Sequence, residues 1–295
     1  MENENLIPTA PSVSEEDMRR CRETGDYAPV LFEWYKFVGS LNFVVAHIKR
    51  DSPAFCSIPS QHYHVLIGLL NRCARLMLSN VALSHEGRFG ETTAIIDRCI
   101  LESAVKIMWL CIDSSQEKFT RYLADGLKTE LELRSQIKAN IASNDGKVLP
   151  IETRMLASIR NHITASELTE KEITSAKKLP DVASMINSLG YGRLFYTIGH
   201  KIGSHHVHGT WSSLLFHYLE EQNKSEEFNF APRGHDCKTH INQYMFVSRI
   251  IIRAMTAYVH YAFEETKDAE VFSGLFESTE KEIIRIYTEA VGDDA

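Results

Sequence analysis

Apolar residues recur every three or four positions over almost the whole chain, and that spacing leaves little room for anything but packed α-helices. Behind Pro29, a residue suited to a first helical turn, Leu31, Trp34, Tyr35, Val38, Leu41, Val44, Val45 and Ile48 share one face. A second stripe (Val65, Leu66, Leu69, Leu70, Cys73, Leu76, Met77) predicts a helix over 61–83. A third helix, over 91–112, carries Ile95, Ile96, Ile100, Leu101, Val105, Ile107, Met108 and Trp109, so it is apolar on most sides and expected at the centre. The β-branched residues fall into this 3.6-residue pattern and not into alternation. The expected fold class is therefore all-α, an irregular multi-helix bundle with no significant β-sheet.

Breaks between the periodic stretches set the organisation. Residues 1–14 read as a disordered N-terminus, with Ser14 and Asp17 at capping-box spacing for a short first helix. Residues 15–295 read as a single helical domain, with a subdomain break placed near 143–150 at Ser143-Asn144-Asp145-Gly146. Helices are expected over 191–208 and 210–220, then a long loop over 221–234, a long helix over 235–266 and a terminal amphipathic one. A chain of 295 residues buries a sizeable core, so neither metal nor disulfide is needed for stability.

Charge and cysteine usage narrow the setting. A net charge of −7 works against nucleic acid and anionic membranes, so RNA would have to meet a local basic patch. The six cysteines contain no Cys-x-x-Cys pair and lie mostly in apolar runs, which points to reduced thiols and a cytoplasmic protein. The acidic opening MENENLIPTAPSVSEED lacks the basic start and apolar run of a secretory signal. No membrane span is expected: 241–263 carries Arg249 and Arg253 near its middle and reads as a core helix. Partners remain open, a homo-oligomer among them.

Two polar series interrupt the apolar pattern. On the third helix, Glu91, Arg98, Glu102 and Lys106 form either a solvated salt-bridge row or the wall of an internal pocket; Arg98 and Glu102, four apart, can pair. In GYGRLFYTIGHKIGSHHVHG, residues 190–209, Tyr196, His200, Ser204 and His208 fall at four-residue steps and would make one slanting stripe on a regular helix. Gly199 and Gly203 beside it cost about 1 kcal/mol each relative to alanine, which close packing against another helix would offset. Gly209 fits a helix end.

Other motifs weigh less. His200, His205, His206 and His208 lack the His-Glu-x-x-His pattern, and Cys237-x-x-His240 would need two further ligands, so His235, Cys237 and His240 read as a helix start and no metal or cofactor is expected. Arg193/His200 and Arg253/His260 satisfy the loose Arg-x4–6-His pattern of HEPN ribonucleases. Such matches arise by chance in a chain with 13 histidines, and Leu194 and Ala254 stand where that family places a polar residue.

Arg98-x3-Glu102 on an apolar helix, followed by a Tyr-rich helix ending Ser204-x3-His208-Gly209, resembles a bacterial all-helical family known only as a domain of unknown function, over about 66–218. The resemblance implies an all-helical fold, and it suggests that Arg98, Glu102, Ser204 and His208 meet at one site. Three functions are carried forward. The first is metal-independent RNA cleavage of the kind used by toxins and defence effectors, with HEPN-like logic: His208 or His200 would be general base toward a 2′-hydroxyl, Arg98 or Arg193 would stabilise the phosphorane charge, and Glu102, Tyr196 and Ser204 would complete the candidate catalytic site. The others are a non-catalytic helical interaction module and a small-ligand sensor.

Overall fold

The computed structural model describes residues 7–53, 55, 56, 58–222, 229–263 and 267–292. The helices are α1 (Glu15–Thr24), α2 (Ala28–Ala46), α3 (Ser60–Glu86), α4 (Gly90–Leu110), α5 (Gln116–Ser143), α6 (Pro150–Ser166), α7 (Glu170–Ser175) and α8 (Val182–Ser188). After them come α9 (Arg193–Tyr196), a π-helical turn Thr197–Ile202, α10 (Gly203–His208), α11 (Trp211–Ser213) and a second π-helical turn Leu214–Tyr218. Two short strands, β1 (Leu219–Glu221) and β2 (Phe230–Pro232), precede α12 (Ile241–Ala262) and α13 (Lys267–Val291). The fold is essentially all-α, as its periodicity predicts.

Helices α2, α3, α4 and α12 form the centre, with α13 laid along α12. Their stripes meet in one core in which Leu31, Val38, Leu41, Leu66, Leu70, Met77, Ile100, Ile107, Met255 and Tyr258 are almost wholly buried. Burying side chains of this size supplies about 1.5–3 kcal/mol each, enough to fix the mutual register of the four helices. A small separate cluster, Ala124, Leu127 and Ile173, lies under α5, α6 and α7. By length and composition the stretch Ser60–His85 could cross a membrane, yet its apolar stripe faces α2 and α4. In α12, Arg249 and Arg253 reach Glu280 of α13.

Local signals set several boundaries. Ser14 and Asp17 form the capping box of α1, and Gly25 ends that helix at φ +69°. Residues 7–14 are non-helical, while 1–6 of the expected disordered segment lie outside the described residues.

The chain departs from expectation between 191 and 240. Helix 191–208 is broken by the π turn at Thr197–Ile202. Helix 210–220 is a single turn, then a π turn, then strand β1. Within the expected loop 221–234, β1 and β2 pair antiparallel as Leu219 with Pro232 and Glu221 with Phe230; residues 223–228 lie outside the described residues. Helix α12 starts at Ile241, not near His235, because Asp236 and Cys237 are bound over the start of α4 and His240 caps the new helix through Nδ1 to the Asn242 N–H at 3.1 Å.

Candidate functional site

The irregular stretch 191–240 forms one wall of a cavity of about 420 Å³; the first half of α4 and the start of α12 form the other. Ala94, Ile198, Ile202, Phe216, Phe246 and Val247 make it mostly apolar. Asp97, Arg98, His206, His217, Cys237 and Gln243 bring polar atoms to it, and exposed Lys238 stands at its rim. A concave apolar space with a few convergent polar groups is the usual form of a small-molecule site. Glycines admit the close approach: a Cβ on Gly199 would lie 2.8 Å from Phe246 Cζ and 3.0 Å from Leu101 Cδ2, and one on Gly203 would lie 3.2 Å from Arg98 Cβ.

Asp97 lies within α4, where an aspartate is both a weak helix former and costly to bury. Its Oδ1 accepts from Asn80 Nδ2 at 2.6 Å and its Oδ2 from Gln243 Nε2 at 2.8 Å. Both partners are neutral amides. Burial outweighs these hydrogen bonds and pushes the carboxyl up to about 7. The neighbouring Arg98 does not neutralise it, because its guanidinium is turned to Glu102.

Beside the cavity a polar network gathers on the N-terminus of α4. Buried Glu91 accepts from Ser213 Oγ and Tyr218 Oη, and His206 Nδ1 stands 4.0 Å from its Oε1. The bond to Glu91, with burial, pushes the Tyr218 hydroxyl up to about 12. Burial, then the nearby His217, holds His206 below its ordinary value and favours its neutral form. Asp236 Oδ2 accepts the Glu91 N–H at 3.0 Å, and its Oδ1 accepts from the Cys237 N–H and from His217 Nδ1, each at 2.7 Å. Burial opposes the Asp236 charge, but the bonds from His217, Glu91 and Cys237 prevail and hold it below the usual carboxylate range.

The residues singled out by sequence divide. Glu102 Oε1 lies 3.1 Å from Arg98 Nη2 and 3.1 Å from His200 Nε2, so three of them do converge, across 98 residues of chain. With its Nε2 proton on Glu102, His200 cannot also accept from Arg98, whose 3.4 Å approach is then a contact. The Tyr196 ring stacks on His200 at 5.2 Å between centroids. Ser204 does not join them: its hydroxyl donates to the His200 carbonyl at 2.9 Å. His208 is exposed at the end of α10, where Gly209 closes the helix at φ +55°.

The expected four-residue stripe therefore fails, for a definite reason. Four-residue steps overshoot the α-helical turn, so such a stripe drifts round the helix, and the π turn changes the count again; the face that packs on α4 is the one holding Gly199 and Gly203. Past Thr197–Ile202 it is His206, not His208, that faces α4. Of the two Arg-x4–6-His matches, Arg193 is exposed, and Arg253 is bound to Tyr191 Oη and Glu280 while His260 is exposed.

Sequence reasoning missed Asp97, His206, His217, Asp236 and Gln243. Asp97 had a readable signal, a lone aspartate inside an apolar helix. His206, His217 and Asp236 meet only through the irregular backbone of 191–240, which no periodicity announces, and Gln243 reaches Asp97 from the start of α12.

Neither curated proteins nor solved structures include one that matches this chain. The model of a family of unknown function (DUF5677) matches residues 63–227, a span that holds Asp97, Arg98, Glu102, His200, His206 and His217 but ends before Asp236. By that match, over more than half of its length, the chain belongs to this family of unknown function.

Proposed function

We propose that the chain binds a small nitrogenous molecule in the α4/α12 cavity, with Asp97 accepting from a cationic or N–H-rich group of the ligand. One observation carries the reading: a largely buried carboxyl, bonded among the described residues to two neutral amides, lines a mostly apolar cavity in which the adjacent cation, Arg98, is turned to Glu102. A cation or N–H donor placed there would favour the ionised form, and the surrounding low-dielectric wall would strengthen that contact. Phe216, Phe246 and Ile202 would cover the ligand's apolar faces.

RNA cleavage is less well supported. Arg98, the cation required for phosphorane charge, is already paired to Glu102, and exposed Lys238 is the other cation at the cavity.

A thermal-shift panel of nucleosides, polyamines and amino sugars, set beside their uncharged isosteres, tests the proposal. Cationic or N–H-rich compounds should raise Tm, by an amount equivalent to about 2.7 kcal/mol at a hundredfold excess over Kd. Asp97→Asn should abolish most of that rise. A panel without effect, or a rise that survives Asp97→Asn, overturns the reading. RNA cleavage in EDTA that is lost in both Arg98→Ala and His200→Ala would put the nuclease in its place.

A further inference from the structure

The cavity wall contains a second, chemically distinct cluster. His217 ends the second π turn's buried face, and Asp236 and Cys237 follow strand β2. Their donor atoms all lie within 4.8 Å of one another. Cys237 Sγ is 3.7 Å from His217 Nδ1, and that nitrogen is 2.7 Å from Asp236 Oδ1. Two donors on one tetrahedral zinc stand roughly 3.3–3.7 Å apart, given Zn–N and Zn–O near 2.1 Å and Zn–S near 2.3 Å. The sulfur–nitrogen pair already fits. The nitrogen–oxygen pair is held closer by the proton between them, which an ion would displace.

We propose that His217, Asp236 and Cys237 bind a divalent transition-metal ion of zinc's class. Imidazole, carboxylate and thiolate together suit zinc, whereas magnesium and calcium prefer an all-oxygen set. Coordination releases the thiol proton of Cys237, and the ring proton of His217 passes from Nδ1 to Nε2. Among the described residues Nε2 has no hydrogen-bond partner, so no contact locks the tautomer against that transfer. The Asp236 carboxylate is oriented by the Glu91 and Cys237 N–H groups, which hold one oxygen each while leaving lone pairs for the ion.

Gly90 makes room for the sulfur: a Cβ there would lie 2.6 Å from Cys237 Sγ. Three protein donors leave a fourth tetrahedral position, and since His217 and Cys237 line the cavity, that position is reached from it. Water, or a donor atom of the cavity's ligand, would occupy it. The site does not depend on the nitrogenous-ligand reading, because the metal alone tests it.

The test uses the full chain, stripped with chelator and titrated with Co²⁺ as a spectroscopic probe for zinc. One equivalent should bind with a sulfur-to-cobalt charge-transfer band. Cys237→Ser should remove the band, and Cys99→Ser should keep it. A second readout needs no variant: Zn²⁺ should slow alkylation of Cys237 in the native protein at least tenfold, and EDTA should restore it. Wild-type protein with no charge-transfer band, a band retained in Cys237→Ser, or alkylation of Cys237 indifferent to Zn²⁺ would overturn the proposal.

Discussion

The four-helix core of α2, α3, α4 and α12, which reaches the cavity through α4 and α12, and the stretch 191–240 on the cavity's other side are built on opposite principles. In the four helices, backbone hydrogen bonding is regular and large apolar side chains do the fixing, so position follows from periodicity. In the facing stretch the backbone passes through two π turns, a helix end at Gly209 and a two-stranded hairpin, and several apolar side chains stay exposed: Leu194 and Trp211, and Ile198 and Phe216 at the cavity. Polar contacts to α4, through Glu91, Arg98 and Glu102, hold it together with the packing of Tyr191, Phe195 and Tyr196 against the core. The difference teaches where chemistry can be placed in an all-helical chain: regular helices supply the rigid half of a site, and a locally irregular backbone aims the side chains of the other half.

The sharpest test of that contrast is truncation on each side. Ile107, with no exposed surface in the core, should cost about 3–4 kcal/mol when changed to alanine, through lost transfer energy and the cavity left behind. Leu194, 70% exposed on the irregular stretch, should change stability by no more than about 0.5 kcal/mol on the same substitution. Urea unfolding followed by far-ultraviolet circular dichroism measures both. Equal losses would show that the irregular wall is part of the core, and the contrast would collapse.

The same division explains what the sequence made legible. Leu66, Leu70 and Met77, or Ile100 and Ile107, announce their buried face because each helix repeats one rotation per residue without interruption. Arg98 and Glu102 sit on such a helix, and their pairing followed from spacing alone. Tyr196, His200, Ser204 and His208 sit across a π turn, where counting by fours loses the face, so His200 arrived at Glu102 and His208 did not. The hairpin and the meeting of His217 with Asp236 arise from tertiary packing over the start of α4, and neither has a local sequence signature.

Asp97 gives the next largest effect and asks whether the rigid half of the site carries its own strain. An unfolded chain releases this proton near pH 4, while the folded state keeps it to about pH 7. Between those values the unfolded state binds fewer protons, so stability falls as pH rises from 4 to 7 and levels off above. The loss should amount to about 2–3 kcal/mol, less than full burial would give because the carboxyl borders an open cavity. His206, whose folded form resists protonation, works in the opposite direction just below its ordinary value of 6.5. The difference between wild type and Asp97→Asn therefore isolates Asp97: the variant should gain stability relative to wild type from pH 5 to pH 8 in urea unfolding. A parallel pH dependence in both proteins would mean that the carboxyl is ionised as usual and the cavity lacks the unbalanced charge on which its proposed ligand chemistry rests.

The smallest effects decide which residues truly join the two halves. Glu102→Gln keeps the shape of the side chain but removes the charge shared by Arg98 and His200, and should cost about 1 kcal/mol, since all three groups are partly solvated. His208→Ala, at the exposed end of α10, should leave stability within about 0.5 kcal/mol of wild type. Double-mutant cycles make the distinction independent of either single value. Arg98→Met and Glu102→Gln should couple by about 0.5–1 kcal/mol, and Glu102→Gln with His208→Ala by nothing measurable. Coupling to His208 instead of His200 would mean that the end of α10, and not the π turn, carries the imidazole that meets Glu102.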